Sequence, residues 1–223
     1  MHTRPAVLPQ RVFRARSGMV LLLCLMFLTA LSLLGLSASS DTILQNKLAA
    51  NLQEAERARQ SARLALSWAE QWLLALDGPA PESCTGTCAG LRLHAAGGLP
   101  LKPEFESFSW WMDQGHVAGI DPLSGDLVAT ISSDSANAPV WIIEEVQTIP
   151  PAEGGNADLQ VWYRILARGS GWTDTSVSVV ESIVGRSWPA VEATDSLAPG
   201  GSGPCPGAKL PAICGRYSWR EIL

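Results

Sequence analysis

The chain has 223 residues and a mass of 23.8 kDa, with 47% hydrophobic and 17% charged residues, which fits one folded body with an appendage and excludes a disordered chain. A net charge of -5 and a pI near 5.2 argue against duplex-DNA binding, which needs clustered Lys and Arg to neutralise phosphates. The charge is uneven: residues 1–18 hold Arg4, Arg11, Arg14 and Arg16 and no acid, leaving 12 basic against 21 acidic residues, or -9, for the remainder.

From Met19 to Leu36 none of 18 positions is charged and nine are Leu. As a helix this run spans about 27 Å, close to the hydrocarbon thickness of a bilayer. The Arg-rich start predicts a cytoplasmic N-terminus with everything after Leu36 on the far side. A cleaved secretory signal shares the basic start and has small residues such as Ser37-Ala38-Ser39 behind it, but its apolar part is usually about 7 to 15 residues, shorter than this one. A plain signal anchor is a further alternative.

Apolar residues then recur in steps of three or four at Leu44, Leu48, Leu52, Ala55, Ala58, Ala62, Ala65, Ala69, Trp72 and Leu76, the period of an amphipathic helix. Asp77-Gly78-Pro79 is the stop signal. The pattern predicts one helix from Met19 to about Leu76, half in lipid and half in water.

A basic leader ending in Ser17-Gly18, an apolar helix beginning at once with Met19 and an amphipathic continuation together resemble a type IV pilin precursor. The resemblance implies cleavage between Gly18 and Met19 by a prepilin peptidase, followed by methylation of the new N-terminus. Gly suits such a bond because it lets a protease approach the backbone closely. Pilins usually carry Glu at the fifth mature position, where this chain has Leu23. The PilX-type minor pilins also lack it, and Leu33 to Ala38, Thr42 to Gln45, Ala49-Ala50-Asn51, Ala65 to Glu70, Pro139 to Glu145 and Tyr163 to Gly169 resemble stretches of that subfamily.

That resemblance implies a subunit that primes type IV pilus assembly and sits in a tip complex displaying an adhesin. Its partners would be other minor pilins, the tip adhesin, an inner-membrane assembly platform, prepilin peptidase and the lipid bilayer. It would be held in the inner membrane with a periplasmic head, and exposed at the pilus tip after assembly. A minor pseudopilin of a type II secretion system shares the leader and helix and is the alternative. An anchored periplasmic enzyme or ligand-binding domain is an alternative of a different class.

Residues 1–18 are thus the expected leader, 19–39 the membrane helix, 40–77 its amphipathic continuation and 78–223 an α+β head. Within the head, Asp126 to Ser132, Val140 to Thr148, Asp158 to Ala167 and Thr175 to Val184 are β-branched or aromatic runs between turn residues, hence strand candidates. The expected fold is a pilin-like α+β: a long N-terminal helix packed through Leu44, Leu48, Leu52, Ala55, Ala62, Ala65 and Trp72 on one face of a four-stranded antiparallel sheet.

Cys24 in the apolar run reads as a small filler. Cys84, Cys88, Cys205 and Cys214 allow three pairings. Cys205 with Cys214 is the preferred pair because pilins often close a C-terminal loop this way, with Cys84 joined to Cys88 across a tight turn; crossed pairing stays open. Their spacings do not suit a zinc ribbon or finger.

The nine Trp are expected mostly in the core, with Trp68 and Trp72 one turn apart and able to face the sheet. Trp110 and Trp111 face apart if their segment is a strand. No Gly-x-Ser-x-Gly elbow, His-Glu-x-x-His pair or phosphate loop is present, so the sequence predicts neither an enzyme nor a cofactor. Asp121 to Asp126 reads as a solvated turn before it reads as a calcium loop, and Glu144-Glu145 as an ordinary exposed pair. A local basic patch of Arg164, Arg168 and Arg186 is the one feature that favours a nucleic-acid partner.

Overall fold

The computed structural model describes residues 17–85, 91–131, 136–150, 158–189 and 214–223. The chain divides into two compact units, Met1–Ala50 and Asn51–Leu223. All described residues of the first belong to helix α1 (Ser17–Ala75), which continues without a break into the second. The Leu-rich sequence favours that helix, since long unbranched side chains lose little rotamer freedom there.

The second unit comprises the rest of α1, α2 (Phe108–Gln114) and six strands: β1 (Leu93–His94), β2 (His116–Val117), β3 (Val140–Ile149), β4 (Leu159–Ser170), β5 (Val177–Trp188) and β6 (Cys214–Glu221). They form one sheet in the order β1-β3-β4-β5-β6, with β2 also on β3. β1 runs parallel to β3 beside Ile143 and Glu144, β2 antiparallel to it beside Val140 and Trp141, and all other pairings are antiparallel.

The α+β class and the mostly antiparallel sheet agree with the sequence reading. A purely antiparallel sheet of four strands does not: the sheet has six, and β1 pairs with β3 in parallel. β3, β4 and β5 lie where three candidates were expected. Among its described residues the fourth candidate, from Asp126 onward, supplies only an isolated bridge of Ile120 with Leu127; Val128 and Ala129 both donate to Gly119 O, which folds the segment back instead of extending it. β6 lies at the C-terminal end, outside the four candidate runs.

The expectation of a single buried face also needs correction. The first five residues of β3 and the last six of β4 are buried without alternation, because both sheet faces are covered there. On one face Trp141, Ile143, Ile165, Ala167, Val180 and Val184 pack against Ala62, Ala65, Leu66, Ala69 and Leu73 of α1. On the other, Val140, Ile142, Leu166 and Val179 pack with Trp111 and Leu99. Trp110 and Trp111 are in helix α2, not a strand; Trp111 is fully buried and Trp110 half-buried, with rings edge-on at 5.9 Å. Ser107 caps this helix by accepting from Trp110 N at 3.3 Å.

Candidate assembly surface

Met19–Leu36 is a helical stretch long and apolar enough to cross a membrane, with a mean hydropathy of 2.6 and none of its residues buried. Gly18 and Met19 lie in the first turn of α1, and Leu23 is exposed. Such a surface is costly in water and suits lipid or another apolar helix.

Where α1 meets the sheet, small side chains let backbones come together. Ala58, Ala62, Ala65 and Ala69 are at most 1% exposed, and Gly169 of β4 lies against the Ala58–Ala62 turn. Of the residues expected on this face, Ala62 and Ala65 are buried and Trp72 is half-buried, its ring 5.4 Å from Trp141. Leu44, Leu48, Leu52 and Ala55 are instead exposed, whereas Leu66 and Leu73, outside the expected set, are buried. The apolar period extends further along the helix than the sheet that covers it.

Polar ties fix this part of α1. Glu54 accepts from Thr173 N at 2.6 Å, a bond that holds its carboxyl below the ordinary carboxylate range, and the Arg57 guanidinium sits 4.4 Å over Trp172. Arg59 donates to Glu221 at 2.7 Å, and Arg216 donates to Glu70 through Nε at 2.8 Å and Nη2 at 2.5 Å. Arg186, buried and stacked 3.6 Å over Trp188, donates from both terminal nitrogens to the carbonyls of Leu73 and Leu76. It thereby satisfies acceptors that the end of a helix leaves without intrahelical partners. Burial lowers its pKa to about 10.

Other sequence expectations resolve differently. Glu144 is not an exposed surface acid: it is 6% exposed, accepts from Gly97 N at 2.9 Å and faces Arg164 at 3.5 Å. Arg164 also pairs with Glu181 at 2.6 Å, which in turn receives Arg220 at 2.9 Å. No basic patch forms from Arg164, Arg168 and Arg186, because Arg168 and Arg186 are buried and Arg186 lies on the helix-covered side. Asp121 serves a turn: it accepts from Leu123 N at 3.2 Å and Ser124 Oγ at 3.0 Å, and from Trp72 Nε1 at 3.0 Å. Cys24 is an exposed free thiol in the apolar span. Neither Cys84 nor Cys214 is free, while Cys88 and Cys205 lie outside the described residues, as does Ser132 at the end of the fourth strand candidate.

Two histidines sit beside β3. His116 accepts from Arg92 N at 3.1 Å and its ring lies 4.9 Å from Trp141; burial, with Arg92 and His94 nearby, lowers its pKa to about 4. His94 donates to Gln114 O at 2.9 Å. Both rings are thus structural partners of backbone groups.

Between α1 and residues 121–131 there is a groove of about 440 Å³ lined by Trp68, Trp72, Leu76, Leu123 and Val128, with Asp77 and Asp121 at its edge. A second cavity of about 370 Å³ shares Trp68 and Gln71 with it and reaches Leu64 and Ile131.

No known family model, characterised protein or solved structure matches this chain.

Proposed function

We propose that the chain is a minor pilin that primes type IV pilus assembly and takes its place in a tip complex with other minor pilins and an adhesin. The observation that carries this reading is the continuity of α1, from an exposed apolar span into an Ala-faced stretch held on a mostly antiparallel sheet. The apolar span of this helix is stable in lipid. On leaving the membrane, it needs the apolar flanks of neighbouring helices to replace lipid, which couples extraction to assembly.

In this reading the leader 1–18 is removed between Gly18 and Met19, Met19 is methylated, and the head 78–223 projects into the periplasm. Leu23 brings no charge into the bilayer, where a Glu would need the amine of a neighbour as its partner. A subunit that begins a stack has no earlier neighbour to supply one. The chain's role is then mechanical, with neither catalysis nor a cofactor.

Intact mass of the membrane-extracted protein tests the proposal. The expected species starts at Met19, carries one added methyl group and is four hydrogens short through the Cys84–Cys88 and Cys205–Cys214 disulfides. A full-length chain, or a start near Ser39, would redirect the reading to a plain anchor or a cleaved signal.

A further inference from the structure

The groove beside α1 is lined by Trp68, Trp72 and Leu76, which also pack against the core between helix and sheet. From Leu64 to Ala75 the flanking helix rises about 16 Å, the reach of about five extended residues. Toward Leu64 and Ile131 the lining is uncharged, with Ser67, Gln71 and Thr130 among the apolar groups, and toward Asp77 and Asp121 it is acidic. Among the described residues, the lining of the two cavities holds these two carboxylates and no Lys or Arg. Arg186, on which the Asp77 charge acts, is committed to the carbonyls of Leu73 and Leu76.

The wall is built before any ligand arrives. The indole N–H of Trp72 is held by Asp121 at 3.0 Å and its ring is backed by Trp141. Burial pushes the Asp121 carboxyl up, but the bonds from Leu123, Trp72 and Ser124 outweigh this and leave it below its ordinary pKa, hence ionised at neutral pH. A pre-formed aromatic wall ending in fixed negative charge favours a ligand with an apolar portion and a cation, whose stem lies along the indoles.

We propose that this groove receives an extended segment of a partner protein, apolar where it lies against Leu64 and Ile131 and carrying Lys or Arg where it meets Asp77 and Asp121. Charge disfavours a second copy of this chain as occupant, since the full chain has 16 basic and 21 acidic residues and a net charge of -5. A lipid tail would offer no positive charge to the two carboxylates. The inference stands on the groove alone and does not require that the chain assembles into a pilus.

The test uses the full chain in nanodiscs of zwitterionic lipid with two capped hexapeptides, one of two leucines, two serines and two lysines, the other with glutamates replacing the lysines. Binding is followed through the indole ¹⁵N–¹H signals of Trp68 and Trp72. The lysine peptide is expected to shift both signals saturably and to bind about tenfold more tightly than the glutamate peptide at low salt. Asp77→Asn, at an exposed position that leaves Trp72 anchored, is expected to cut that preference roughly threefold. Asp121→Asn removes the second charge and loosens Trp72 as well. Equal binding of the two peptides, no saturation up to millimolar concentration, or a preference unchanged in Asp77→Asn would overturn the proposal. So would shifts of the two indoles with protein concentration alone, which would assign the groove to a second copy.

Discussion

Gly169 of β4 lies so close to Ala62 of α1 that a Cβ on the glycine would be 2.2 Å from the Ala62 nitrogen and 2.6 Å from the Ala58 carbonyl oxygen. Helix and sheet meet there through backbone, with no side chain to yield. Gly169→Ala must therefore push α1 away from β4, at a cost of about 2–3 kcal/mol. Denaturant unfolding of the detergent-solubilised chain would measure it. An unchanged midpoint would mean that this contact is looser than the geometry states.

The bidentate contact of Arg216 with Glu70 joins the edge strand β6 to the helix, and Glu70 is 8% exposed. Arg216→Ala leaves that carboxylate buried without its partner and is expected to cost about 1–3 kcal/mol. Replacing both residues with Leu should recover most of the loss, because no charge then stays behind. A double-mutant cycle with the two single variants separates the pair's coupling from the rest.

Stability should fall in weak acid through His116. Its folded pKa, about 4, lies below the ordinary 6.5, so between these values the unfolded chain binds more protons than the folded one. The stabilisation is complete above pH 6.5 and is lost as pH falls toward 4, by a total of about 3 kcal/mol. His116→Gln retains a hydrogen-bond acceptor but no titration. The advantage of the parent over this variant should shrink by about that amount between pH 7 and pH 4 in denaturant titrations; a constant difference would refute the assignment.

Leu23→Glu tests the proposed place in assembly. The carboxyl costs roughly 1–3 kcal/mol in the bilayer unless a neighbour's amine receives it. Pilus number in cells relying on this subunit should stay level or fall, and its share of sheared filaments should not rise. A rise in that share would mean that only the missing charge keeps the chain out of the filament body.

β3, β4 and β5 were legible because β-branched and aromatic residues fill them between turn residues. β6 was not: Arg216, Tyr217, Trp219 and Arg220 are exposed on an edge, where no burial pattern is imposed. The helical period from Leu44 to Leu76 was equally clear, yet its first part is exposed. Periodicity marks a face of a helix without saying how far a partner extends along it. Trp72 was readable as a residue facing the sheet; its bond to Asp121, 49 positions away, and the acid-ended groove they border were not.

The order of residues by itself determined an uncharged, Leu-rich span behind a basic start, an uninterrupted helix and the central strands, because hydropathy and local backbone preference act over neighbouring positions. Only the tertiary structure decided which turns of the helix are covered, that both sheet faces are filled, and that Arg186 is a buried helix cap and Glu144 a buried acceptor. Those outcomes depend on groups far apart in the chain meeting at van der Waals or hydrogen-bond distance, and no local pattern encodes such meetings.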